Sequence, residues 1–180
     1  MKNEEERIDD LQYKNLKIIQ NKNGFCFGID SILLTNFASE IKKNSKIIDL
    51  GTGTGIIGIL LCAKVENCKV TGVEIQNDVY EMAKRSIKLN KLEDRFELIN
   101  DNINNLQEKN VYDAVVTNPP YKKLGTGIIN ENEKKLISRH EITATLEDFI
   151  KASSKLLKEN GSLYMVHRPD RLVDIIENLR

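Results

Sequence analysis

Ile47-Ile48-Asp49-Leu50-Gly51-Thr52-Gly53-Thr54-Gly55-Ile56-Ile57-Gly58 decides the fold. It opens as a short apolar strand, crosses alternating glycines and enters an apolar helix from Ile59 to Val65. Strand, glycine turn and helix in that order form the nucleotide-binding corner of a doubly wound α/β sheet. Alternate glycines permit backbone angles and a close ligand approach that a Cβ would block. The helix start behind them offers free N–H groups to an anionic group. A glycine turn without a ligand is the plain alternative, but such glycines would then cost stability without a use.

Two ligand classes compete for this corner. Gly53-x-Gly55-x-x-Gly58 matches the dinucleotide fingerprint, which alone is a weak signal. Asp49, closing the strand at the mouth of the loop, discriminates. Its carboxylate would repel a pyrophosphate and suit a ligand carrying an ammonium or sulfonium. S-adenosylmethionine carries both. The pattern Asp49-x-Gly51-x-Gly53-x-Gly55 also resembles the first motif of class I S-adenosylmethionine-dependent methyltransferases.

Outward from the loop, the chain alternates as a mostly parallel α/β sheet should. Lys46–Leu50 is read as the first core strand, Lys69–Glu74 as the second, Phe96–Ile99 as the third, Ala114–Val116 as the fourth and Ser162–Val166 as the fifth. Helices are expected over Asp78–Leu89, over Leu146–Lys158 and after Pro169. Before the core, Leu16–Gln20 and Gly24–Phe27 read as a hairpin around Asn21-Lys22-Asn23-Gly24. Asp30-Ser31 then reads as the N-cap of a helix, and residues 1–10, with five acidic side chains, as a frayed helix or tail. Residues 1–45 thus form a lid-like preface in the same domain as a cofactor-binding core over 46–180. A class I methyltransferase sheet continues with two further strands, one antiparallel, so the expectation is a truncated chain with an open edge at the fifth strand.

The chemistry-bearing residues fall at strand ends. Glu74 can accept both ribose hydroxyls of an adenosine; its plain alternative is a solvated carboxylate. Asp101, in Asn100-Asp101-Asn102, can accept from an adenine amine or cap a short helix. With Asp49, Gly51, Thr52, Gly53, Thr54, Gly55, Ile75, Asn102 and Asn118 these make the candidate cofactor set. Asn118-Pro119-Pro120-Tyr121, after the fourth strand, is the candidate catalytic set. An aromatic amine is a poor nucleophile because its lone pair is delocalised into the ring. Two acceptors, the Asn118 side-chain oxygen and the Pro119 carbonyl, would pull it towards a tetrahedral nitrogen. The prolines preset the carbonyl direction, and Tyr121 offers a stacking face worth about 1–3 kcal/mol. No base is required before transfer, and in-line positioning supplies about 7–11 kcal/mol of the barrier.

Asn-Pro-Pro-Tyr resembles the motif of enzymes that methylate adenine N6, guanine N2 or glutamine N5. Phe25-Cys26-Phe27-Gly28-Ile29-Asp30-Ser31-Ile32-Leu33-Leu34, Asn130-Glu131-Asn132-Glu133 and Ser138-Arg139-His140-Glu141 narrow the resemblance. With the two central motifs they are similar to the bacterial tRNA1(Val) adenine-37 N6-methyltransferases, from about Leu16 to Arg168. That resemblance implies S-adenosylmethionine as cofactor, the anticodon stem-loop of a tRNA as partner, and Asp30 with Phe25–Gly28 beside the cofactor's methionine end. Glutamine N5 methylation of a release factor, guanine N2 methylation of ribosomal RNA and a catalytically silent RNA-binding domain are the alternatives. A helical N-terminal domain, usual in the glutamine enzymes, has no counterpart in the short preface here.

Bulk properties read as those of a cytoplasmic protein; they do not fix an oligomeric state, and a monomer is the expectation. The 180 residues are 40% hydrophobic and 30% charged with a formal net charge of zero, which excludes wholesale electrostatic capture of nucleic acid. Lys122, Lys123, Lys134, Lys135 and Arg139 supply a local basic stretch that can track phosphates or be merely solvated. Lys84, Arg85, Lys88 and Lys91 read as an exposed helix face. Cys26, Cys62 and Cys68 lack metal-ligand partners at suitable spacing and read as reduced thiols. No metal and no membrane segment is expected.

Overall fold

The computed structural model describes residues 5–24, 26–121 and 144–179. Five parallel strands form the central sheet: β3 (Lys46–Leu50), β4 (Lys69–Val73), β5 (Phe96–Ile99), β6 (Tyr112–Thr117) and β7 (Leu157–Met165), in the spatial order β5-β4-β3-β6-β7. The order reverses between β3 and β6, and the crevice outside their carboxyl ends is where such sheets bind ligands. Helices α1 (Ile29–Phe37), α2 (Ile56–Lys64) and α3 (Asn77–Leu89) precede α4 (Leu146–Leu156) and a short α5 (Leu172–Asn178).

Alternation along the strands feeds two cores. Ile47, Val70, Ala114 and Val116 pack on one face with Ile59, Leu60 and Leu61 of α2. Ile48, Leu50, Val73 and Val115 pack on the other with Phe149, Ala152 and Leu156 of α4. Both faces are covered, so β3 is apolar at adjacent positions, as a central parallel strand must be. Thr145 caps α4 through a reciprocal pair with Asp148, which explains its sharp start.

The N-terminal region departs from expectation. The hairpin pairs β1 (Glu6–Asp10) with β2 (Lys17–Asn21), antiparallel, so residues 6–10 are a strand and residues 26–28 are not. Nor is it a free lid. The Ile19 amide donates to Ser86 Oγ at 3.0 Å, and Asn90 brackets Lys17, accepting from its amide at 2.8 Å and donating to its carbonyl at 2.6 Å. Arg85 donates to both Glu6 oxygens at 2.6 and 2.7 Å, which removes it from the expected exposed basic face of α3. Helix α1 starts at Ile29 with Gly28 as its N-cap, so Asp30 lies inside the first turn with its side chain free to reach elsewhere. Strand β7 begins earlier than expected because a bulge absorbs residues 158–161 between the pairs Tyr112↔Leu157 and Ala114↔Ser162. Among the described residues its outer edge has no neighbouring strand.

Gly58 fixes how closely α2 approaches the sheet. A Cβ there would sit 2.3–3.0 Å from three atoms of the Phe96 ring, itself buried at 2% exposure. Gly58→Ala is therefore expected to destabilise the protein by about 1–3 kcal/mol through overpacking. The check is a lower urea midpoint at unchanged slope, partly restored by adding Phe96→Leu.

Candidate active site

The carboxyl ends of β3 and β6 lie side by side because Leu50 pairs with Thr117 in parallel register. The Thr117 hydroxyl donates to the Leu50 carbonyl at 2.9 Å in a buried position, locking the two ends together. Gly51 and Asn118, the next residues on each strand, therefore leave the sheet as neighbours. The loop after β3 is built on left-handed backbone, with φ of +70° at Gly51, +58° at Gly53 and +87° at Gly55. A Cβ on Gly53 would meet no atom within 4 Å, so that side of the loop is open to a ligand.

Asp49 is completely buried. Its Oδ2 accepts from the Thr52 hydroxyl at 2.6 Å, while Oδ1 is buried without a hydrogen-bond partner. Burial, the dominant influence, pushes its carboxyl from 3.8 up to about 7; the Thr52 hydroxyl opposes it and the nearby Glu74 charge adds a smaller push upward. Leaving a buried acceptor unpaired is costly, and a cation at this position removes the cost. The ammonium of S-adenosylmethionine has that chemistry, so the residues present fit the cofactor.

Glu74 is 2% exposed, which rules out a solvated strand-end carboxylate. Its Oε2 accepts from the Gly53 amide at 3.0 Å and Oε1 from the Gln76 amide at 2.8 Å. A carboxylate has about four acceptor sites, so Glu74 shapes the loop and keeps capacity for hydroxyl donors. The turn after β4 is held by Asn100, whose side chain donates to the Glu74 carbonyl at 2.7 Å and to that of Ile75 at 3.3 Å. The sequence placed Asn100 beside a candidate, but its own task depends on a contact with a strand 26 residues away. Asp101 Oδ1 accepts from the Asn102 amide at 2.6 Å and the Asn105 side chain at 2.7 Å. Asn102, not Asp101, caps the short turn that follows.

Asn118 and Tyr121 meet a residue from the other end of the chain. The Tyr121 hydroxyl oxygen lies 2.6 Å from Asn118 Oδ1 and 2.8 Å from Asp30 Oδ2. Burial and the Asp30 carboxylate raise the Tyr121 phenol well above its ordinary range, so it stays protonated. Asp30 thus stands against the Asn118–Tyr121 turn. His167, which sequence reasoning missed, packs edge-on to the Tyr121 ring with centroids 5.2 Å apart. Its Nδ1 accepts from the Arg168 amide at 2.9 Å, and burial holds the imidazole below the usual histidine range. Nothing local in His167-Arg168-Pro169 signals this contact; only the β6–β7 pairing creates it. The basic stretch from Lys122 to Arg139, and His140, lie outside the described residues.

Among the described residues no cluster of His, Cys, Asp and Glu is arranged to hold a metal, and no helix is long and apolar enough to cross a membrane. Cys26, Cys62 and Cys68 are free thiols.

A parallel sheet whose order reverses at β3 and β6, an open glycine turn at that switch point and a buried carboxyl at its mouth are the features of a Rossmann-like methyltransferase. The chain matches the methyltransferase small domain family over residues 15–174 and belongs to it. Members of that class take their methyl group from S-adenosylmethionine. Among similar curated proteins, the tRNA1(Val) (adenine(37)-N6)-methyltransferase of Porphyromonas gingivalis is 29% identical over 175 residues, 93% of this chain and 68% of the relative. The protein of the same name from Flavobacterium johnsoniae is 27% identical over 158 residues, 87% of this chain and 66% of the relative. The chain thus spans about two thirds of the length of these relatives. Among solved structures, TYW2 of Pyrococcus horikoshii in complex with MeSAdo superposes with a TM-score of 0.69 at 15% identity, covering 98% of this chain and 59% of that one. A predicted O-methyltransferase of Agrobacterium tumefaciens gives 0.64 at 23% identity over 83% of this chain and 66% of that one. Both share the fold.

The raised Asp49 gives a signed pH dependence. Below about 7 the carboxyl is protonated in the ligand-free protein and must release its proton to pair an ammonium. The Kd for S-adenosylhomocysteine is expected to be flat above pH 7 and to weaken about tenfold per unit below it. Calorimetry in buffers of different ionisation enthalpy should register the released proton, and Asp49→Asn should weaken binding and flatten the profile. By the same linkage, the ligand-free protein should lose stability as pH rises from about 4 through 7, because the folded state there binds the extra proton.

Proposed function

We propose that this protein methylates adenine N6 in tRNA, at position 37 beside the anticodon of tRNA1(Val), with S-adenosylmethionine as methyl donor. The observation that carries the reading is the adjacency of the Asp49 glycine turn and Asn118-Pro119-Pro120-Tyr121, set by the Leu50↔Thr117 register. The names of the similar Porphyromonas and Flavobacterium proteins support the choice of acceptor.

The residues divide the work. Asp49 pairs the ammonium of the cofactor, Glu74 accepts from its ribose hydroxyls, and Asp101 and Asn102 border its adenine. Gly51, Thr52, Gly53, Thr54, Gly55 and Ile75 line the same path. When bound, S-adenosylmethionine supplies an electrophilic methyl group. The Asn118 side-chain carbonyl and the Pro119 carbonyl accept from the exocyclic amine of the target base and turn its lone pair out of the ring. Pro119 and Pro120 hold that geometry without a flexible φ. The Tyr121 ring stacks on the flipped base. The amine proton leaves to water after transfer. We take the acting species to be a cytoplasmic monomer bound to the anticodon stem-loop.

Asn118→Ala is expected to lower methylation about 10²–10³-fold, by losing one preorganised contact to the reacting group, a far larger effect than on S-adenosylhomocysteine affinity. The measurement is nucleoside mass spectrometry of unmodified tRNA incubated with chain and cofactor. N6-methyladenosine supports the reading; N2-methylguanosine, or unaltered turnover in the variant, overturns it.

A further inference from the structure

Tyr121 carries one hydroxyl proton, yet its oxygen lies within hydrogen-bond distance of two groups placed as acceptors, Asp30 Oδ2 at 2.8 Å and Asn118 Oδ1 at 2.6 Å. One proton serves only one of them. A carboxylate can only accept, and its hydrogen bonds are the stronger because they are charge-assisted. An amide, by contrast, can present either end, since rotation about its last torsion exchanges oxygen for NH2. The arrangement that satisfies all three side chains runs in one direction. The Asn118 NH2 donates to the Tyr121 oxygen, and the Tyr121 hydroxyl donates to Asp30.

We propose that Asp30 is a positioning residue for catalysis: through the Tyr121 hydroxyl it fixes which end of the Asn118 amide faces the acceptor base. The proposal rests on the functional reading above, in which the Asn118 carbonyl accepts from the target amine. With its NH2 held by Tyr121, Asn118 keeps its carbonyl free for that purpose. With the amide reversed, the carbonyl would be spent on Tyr121 and the NH2 would confront an amine that can only donate. Two features brace the relay. Asp30 sits in the first turn of α1, whose approach is held by the Phe27 amide donating to the buried Gln20 side chain at 2.8 Å. The His167 ring supports the edge of Tyr121 from β7's end of the sheet.

Asp30→Ala and Tyr121→Phe should each lower kcat for tRNA methylation about 10- to 100-fold, the scale of a small misplacement of a reacting group. Affinity for S-adenosylhomocysteine should not change. Asp30→Asn, which keeps an acceptor, should recover part of the loss. The double variant Asp30→Ala/Tyr121→Phe should be no slower than Tyr121→Phe, because Asp30 acts only through the hydroxyl. Independently of activity, the Asn118 side-chain NH2, assigned by its loss in Asn118→Asp, should exchange slowly with solvent in isotope-labelled protein. That protection should vanish in Tyr121→Phe. An Asn118 amide signal indifferent to both substitutions overturns the proposal. So does an additive loss in the double variant, or weakened S-adenosylhomocysteine binding in Asp30→Ala, which would make Asp30 a cofactor ligand. A wild-type chain that methylates no tRNA would remove the functional reading, and the amide signal would still decide whether the relay exists.

Discussion

The parallel pairing of β3 with β6 is the constraint on which the rest of the site depends. Strands adjacent in space but far apart in sequence leave their sheet at the same level only if their register is fixed. Here Leu50 stands opposite Thr117, and a buried hydroxyl-to-carbonyl bond closes the pair. A slip of one residue would turn Ile47 and Ile48 to the wrong faces and separate the glycine turn from the Asn-Pro-Pro-Tyr turn. The apolar packing of both sheet faces is therefore what holds two chemically unrelated loops together.

Within that frame the polar groups are arranged as an unfinished circuit. Asp49 and Glu74 place two carboxylates near one another in a dry corner, and only the Thr52 hydroxyl and loop amides answer them. The site carries more negative charge than its own donors satisfy, and its complement is a cationic ligand. The same logic, reversed, operates at Tyr121, where acceptors outnumber protons until an amide turns round. In both places a shortage of donors specifies what must come next.

Much of this was legible in the chain. The glycine loop, the strand Lys46–Leu50 and the turn at Asn118 all rest on local signals: apolar runs, glycines at alternate positions, paired prolines. The N-terminal region was not. Glu6-Arg7-Ile8-Asp9-Asp10 has neither the alternation nor the composition of a strand. It becomes one because β2 pairs with it, Gln20 of that strand holding Asp9, and because Arg85, 79 residues away, holds Glu6. Asp30 was misplaced for a related reason. A carboxylate just before an apolar helix has the signature of a cap, and only the fold reveals that Gly28 takes that place and that Tyr121 takes the side chain. His167 left no local trace at all.

The anchoring of β1 on α3 also bears on how the chain acquires its structure. Glu6 and Arg85 are 79 residues apart. A two-stranded ribbon is marginal in water by itself, so β1 and β2 have no stable resting place until α3 has been made. At about 5–20 residues per second that interval is roughly 4–16 s. Through that time β2 carries Ile18 and Ile19, both destined for the interior, without the helix that will cover them. The β1–β2 ribbon, made before α3, is among the parts that must be assembled after it.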